Sequence, residues 1–114
     1  MLLNNYNKGK NIVSQSDIKT RTKVNTDVTE PPMFRVIYIN DNQTAMEFVI
    51  DSLITWFNYN EERAEEKTRD IHEAGSAVVA VLPYEIAEQK GIEITVSARS
   101  EGYPLQIKLE PDHV

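Results

Sequence analysis

Hydrophobic and polar positions fall into a readable pattern only from residue 33 onward. Met33–Ile39 is rich in Phe, Val, Ile and Tyr with Arg35 its lone charge, which predicts a strand. The polar run Asn40-Asp41-Asn42-Gln43 predicts a turn, since Asn and Asp side chains bond their own backbone and tolerate left-handed conformations. Thr44-Ala-Met-Glu47 matches a capping box, with the threonine hydroxyl capping a helix and Glu47 reaching back. In that helix Met46, Val49, Ile50, Leu53, Ile54 and Phe57 recur at i, i+3, i+4 and i+7, with Asp51 and Thr55 on the other side. Asn60 is a suitable N-cap for a second helix with Glu61 and Glu62 in its first turn. Its apolar stripe is thin (Ala64, Thr68, Ile71, with His72 and Ala74 at its margin), and Gly75 suits its C-terminal end.

Ala77–Leu82 is continuously apolar, which predicts a strand buried on both faces, ended by Pro83. Tyr84–Arg99 predicts a third helix with Ile86, Ala87, Ile94 and Ala98 inward, although Gly91 interrupts it and Ile92–Val96 also alternates like a strand. Leu105–Leu109 alternates as a final half-buried strand. The order is β-α-α-β-α-β. The expected fold class is α+β: a small three-stranded antiparallel sheet packed against three helices, preceded by a disordered N-terminal arm.

Charge sharpens the boundary. Residues 1–32 hold 5 Lys/Arg against 3 Asp/Glu with 9 apolar residues, whereas residues 33–114 hold 7 against 15 with 37 apolar residues. The first segment cannot bury enough apolar surface to offset the entropy of ordering, so it is expected to be a flexible extension, residues 33–114 forming one folded domain. Nothing before Lys8 resembles a signal peptide, and no run approaches the roughly 18 apolar residues of a membrane span. A net charge of −6 argues against non-specific nucleic-acid binding, which needs a clustered basic face. Zero cysteines exclude disulfides and thiolate chemistry and fit a reducing cytoplasm.

No catalytic engine emerges. His72 and His113 lack a nucleophile elbow to serve, no zinc-type histidine spacing exists beside Asp41, His72 and Glu73, and 4 glycines make no phosphate loop. Neither a catalytic residue, nor a metal, nor a cofactor is expected. Asn40-Asp41-Asn42 at a strand end could hold a cation or amine; it could equally be a tight turn feeding a helix. Met46 and Val49 are ordinary core types, and Glu61–Glu66 reads as a solvated helix face.

The run Val36-Ile-Tyr-Ile-Asn-Asp-Asn-Gln-Thr-Ala-Met-Glu-Phe-Val-Ile50, with Glu62-Arg-Ala64, Ile71-His72, Gly75, Ala77–Leu82, Glu85-Ile-Ala-Glu88, Lys90 and Pro104-Leu105, resembles the ClpS family. These are bacterial, cytoplasmic adaptors that hand proteins with destabilising N-terminal residues to the Clp protease. The resemblance implies a monomeric, non-enzymatic protein whose partners are N-degron substrates and the N-terminal domain of a Clp ATPase (ClpA or ClpC type). It implies that Asn40, Asp41, Asn42, Thr44 and a neutral His72 hold the α-amino group of a substrate. Met46, Val49, Thr68, Ile71 and Leu105 would form the hydrophobic pocket for its Leu, Phe, Tyr or Trp side chain, with Met46 disfavouring β-branched residues. Glu85 and Lys90 would dock the ATPase, and residues 1–32 would be the extension that its pore engages. Two positions depart from the family pattern: Asn42 replaces a common second aspartate, and Thr68 replaces a methionine, which is expected either to leave a cavity or to deepen the pocket. The alternatives are an N-terminus-binding module serving another ATPase or a ubiquitin ligase and, more remotely, a metal-dependent or Asp/His hydrolase.

Overall fold

The structure, a computed structural model, describes residues 31–113; the extension expected over residues 1–32 lies outside them apart from Pro31 and Pro32. Strand β1 (Met33–Ile39) is followed by helices α1 (Met46–Phe57) and α2 (Glu61–Ala74), strand β2 (Ser76–Pro83), helix α3 (Tyr84–Ser100) and strand β3 (Gln106–Pro111). The sheet is antiparallel with order β2-β1-β3. The order and architecture are those expected from the pattern.

One face of the sheet carries the core. Val36 and Tyr38 of β1 are fully buried with Leu53 of α1, Ala64 of α2, and Ala87, Ile94 and Ala98 of α3. The periodic apolar spacing of the helices delivers these residues to one side, and removing them from water is the main stabilising term. Ile86 is the exception among the inward residues expected on α3. It is exposed, because the helix buries the side bearing Ala87, Ile94 and Ala98 instead. Ile92–Val96 is helical throughout.

Strand β2 is an edge strand, not one buried on both faces. Val78 and Val81 are exposed and Val79 is its lone fully buried residue. The uniformly apolar sequence also conceals a bulge. Val36 pairs with Ala80 and Ile37 with Val78, so Val79 has no opposite partner. Tyr59 donates its hydroxyl to the Val79 carbonyl at 2.7 Å, satisfying an acceptor that the irregular ladder displaces. On the far side of β1, Arg35 stands opposite Glu110 and bonds it at 2.9 Å.

Between β1 and α1 a buried relay replaces apolar contact. Ser52 donates to the Val49 carbonyl at 2.8 Å, so its oxygen accepts the Tyr38 hydroxyl, also at 2.8 Å. Burial pushes the Tyr38 phenol well above its ordinary value. The folded chain thus holds the phenolic proton more tightly than the unfolded one, and stability falls as pH rises above the usual tyrosine range near about 10. Tyr38→Phe should cost about 1 kcal/mol at neutral pH while reducing the alkaline loss between about pH 10 and 11, as read by thermal melts. An unchanged alkaline slope would show that Tyr38 does not set it.

The caps divide into one expected and one not. Asn60 accepts from the Arg63 amide at 2.7 Å, capping α2 as its sequence predicts. Thr44 does not cap α1: the N-cap is Ala45, without a side-chain bond. Asp41 has captured the Thr44 hydroxyl instead. At the other end of α2, Gly75 takes φ 91° and alone separates the helix from β2. An added Cβ would meet nothing within 4 Å, so substitution there costs conformational energy without a clash. Gly75→Ala should destabilise the protein by about 1–2 kcal/mol in urea unfolding.

Candidate functional site

A cavity of about 20 Å³ opens where the end of β1, the start of α1 and the last turns of α2 converge. It is lined by Ile39, Asn40, Asp41, Thr44, Met46, Val49, Thr68, Ile71, His72 and Leu105. Nine of these ten are the residues singled out for an amine site and an apolar pocket. They come from four separate stretches of sequence, which the fold brings to one place.

Each wall has a local cause. Val49 is buried on the first turns of α1, one residue-face away from the exposed Met46 at the helix start. Thr68 and Ile71 lie on the thin buried stripe of α2, and His72 follows in its last turn, exposed at the rim. Leu105, fully buried, closes the floor just before β3. The loop is tied to α2 through its backbone: Asn40 donates its amide to the Gly75 carbonyl at 2.9 Å. Ile39 was not anticipated. Its signal was its place immediately before the polar turn, where a strand residue must face one side of the loop or the other.

Asp41 organises the rim. Its Oδ1 accepts the amides of Gln43 at 2.8 Å and Thr44 at 2.7 Å, and its Oδ2 accepts the Thr44 hydroxyl at 2.8 Å. Partial burial pulls its pKa upward, but these three bonds and the positive charge of Arg99 prevail and hold the carboxyl below its usual value. Asp41 is therefore a carboxylate with most lone pairs given to its own loop and one side of Oδ2 left to accept. Thr44 braces this carboxylate instead of the helix.

Asn42 is exposed on the turn and does not line the cavity. Thr68 lines it, its hydroxyl donating to the Ala64 carbonyl at 2.7 Å, and the space beside it holds about one water. Glu85 and Lys90 sit apart from the cavity on α3. Glu85 is exposed in the first turn, and the Lys90 ammonium lies 5.9 Å from the Phe57 ring. The site thus joins an anionic, acceptor-rich rim to an apolar chamber, the arrangement required to hold an ammonium beside a hydrophobic group.

Comparison with known proteins identifies the family. Residues 29–108 match the family described as ATP-dependent Clp protease adaptor protein ClpS. The ATP-dependent Clp protease adapter protein ClpS of Campylobacter jejuni subsp. doylei is 37% identical over 95 residues, 83% of this chain and 99% of that one. That of Wolinella succinogenes is 34% identical over 99 residues, 87% of this chain and 97% of the relative. The solved structure of Agrobacterium tumefaciens ClpS2 bound to L-phenylalaninamide is similar with a TM-score of 0.70 and 35% identity, covering 73% of this chain and all of that one. With the family matched across most of its length and relatives of this similarity spanned nearly end to end, the chain belongs to the ClpS family of Clp protease adaptors.

Proposed function

We propose that the cavity takes the first residue of another polypeptide and that the protein delivers that polypeptide to a Clp ATPase for degradation. The observation that carries this reading is the meeting of Asn40, Asp41 and His72 with Met46, Val49, Thr68, Ile71 and Leu105 around one cavity. The Asn40 carbonyl oxygen, the free side of Asp41 Oδ2 and a neutral His72 nitrogen are three acceptors for an α-ammonium. The apolar walls take its side chain. L-phenylalaninamide, the ligand of the Agrobacterium relative, offers a free amine, an aromatic side chain and an amide, the groups that a polypeptide's first residue also presents. Burying a large apolar side chain supplies roughly 1.5–3 kcal/mol and each charge-assisted bond about 1.5–3 more. After the entropy of association these sums suit micromolar or tighter binding.

The chamber must open for such a side chain. Met46, 43% exposed at its mouth, has three rotatable bonds and moves most readily. Glu85 and Lys90, away from the cavity, leave it free while they dock the ATPase N-terminal domain, and residues 1–32 serve as the segment the ATPase engages.

Fluorescence anisotropy with labelled peptides tests the site. Peptides beginning with Leu, Phe, Tyr or Trp should bind, and N-acetyl-Phe peptides should lose at least about 100-fold in affinity, near 2.7 kcal/mol, because acetylation removes the charge. Equal binding of the acetylated peptide would sink the reading. Met46→Ala should raise the affinity of Ile and Val peptides relative to Leu by about fivefold or more, roughly 1 kcal/mol, as the mouth widens beside the branched Cβ. An unchanged ratio would remove Met46 as the gate.

A further inference from the structure

A shallow groove of about 350 Å³ begins where the cavity ends. It shares Ile39 and Leu105 with the cavity and continues past Thr95, Arg99, Gln106, Ile107 and Lys108, along the edge of β3 that no other strand among the described residues covers. A polypeptide whose first side chain occupies the cavity has to leave it, and this trough adjoins the shared wall. At about 3.3–3.6 Å per extended residue, the second to fourth residues of that polypeptide fall along it.

Charge decides what those residues should be. Arg99 and Lys108 line the groove, and no carboxylate does. Arg99 gives its Nη1 to the carbonyls of Tyr103 and Leu105, both at 2.9 Å, which fixes the guanidinium beside the cavity's shared wall. Lys108 is 58% exposed and bonds Glu110 at 2.9 Å, while Glu110 is bonded at the same distance by Arg35. Glu110, which Arg35 also bonds, and Asp41, whose carboxyl the charge of Arg99 helps to lower, lie outside the groove's lining. The two charged side chains that line the groove are thus both positive, and Lys108 is exposed enough to turn from Glu110 to a ligand.

We infer that the β3 edge is a second recognition subsite, selecting acidic side chains at positions two to four of a bound N-terminus through Lys108 and Arg99, the two charged residues of its lining. This rests on the proposed binding of N-termini. It runs against the charge of the domain as a whole, which is strongly acidic and would attract basic peptides at long range. At physiological salt the Debye length is about 8 Å, so carboxylates elsewhere on the domain are screened, while Lys108 exchanges its bond to Glu110 for one to the peptide.

The test uses the full chain and fluorescent peptides beginning Phe-Glu-Glu, Phe-Gln-Gln or Phe-Lys-Lys with one common remainder, at about 0.15 M salt. The Glu peptide should bind two- to fivefold more tightly than the Lys peptide, the range of an exposed ion pair, with the Gln peptide between them. Lys108→Glu should invert that order and Lys108→Gln should level it. Because the readout is a ratio within each variant, a general loss of affinity leaves it interpretable, and raising the salt on the wild-type protein should shrink it without any substitution. A Glu-to-Lys ratio below twofold, a preference for Lys, or a ratio unmoved in both variants overturns the subsite while leaving N-terminus binding intact. Failure of all three Phe peptides to bind overturns N-terminus binding, and the subsite with it.

Discussion

Gly75 is the constraint on which the geometry turns. Helix α2 and strand β2 are separated by that one residue, so the chain must reverse within a single left-handed step at φ 91°. A side chain there would carry the strain that glycine avoids. Because the reversal is so tight, the Gly75 carbonyl is presented to the Asn40 amide, which binds the exit of β1 to the exit of α2. His72, three residues before, and Asn40 with Asp41, just after β1, meet for that reason alone. Every polar group on the cavity rim traces to this crossing of two chain ends.

The apolar side of the cavity depends on a different device. Tyr38 reaches from the sheet to Ser52, and Ser52 in turn holds the Val49 carbonyl. The position of Val49 is thereby fixed from beneath by hydrogen bonds, where an all-apolar contact would allow α1 to slide or rotate. Asp41 does the corresponding work at the rim, freezing Gln43 and Thr44 around itself. Rim and chamber are thus each held by side chains whose own bonding is directed at backbone.

What was legible in the chain follows the range of the interactions. Strand β1, the helical stripes, the Asn60 cap and the Gly75 terminus depend on neighbours within about four residues, and sequence shows them. The Val79 bulge does not appear, because Ala77–Leu82 is apolar at every position and such a run carries no register information. Its acceptor is satisfied by Tyr59, 20 residues earlier. Thr44 misleads for a sharper reason: Asp41, three residues before it, competes for the hydroxyl that the capping box would have used. Most residues lining the cavity were named from the resemblance to a family, since four stretches distant in sequence have no local reason to converge. Asn42 was named with them and stands outside.

A chamber with room for about one water has a thermodynamic consequence. Were the proposed occupant to enter with a larger side chain, it would be held by a minority open population, and its apparent dissociation constant would be weakened by the fraction open. Were that fraction about one in ten, opening would cost about 1.4 kcal/mol before any contact forms. An alanine at the start of a polypeptide buries roughly one methyl group, near 0.8 kcal/mol, and cannot offset this, whereas a leucine or an aromatic ring can. Under the proposed function, small first residues would be turned away by the chamber's reluctance to open.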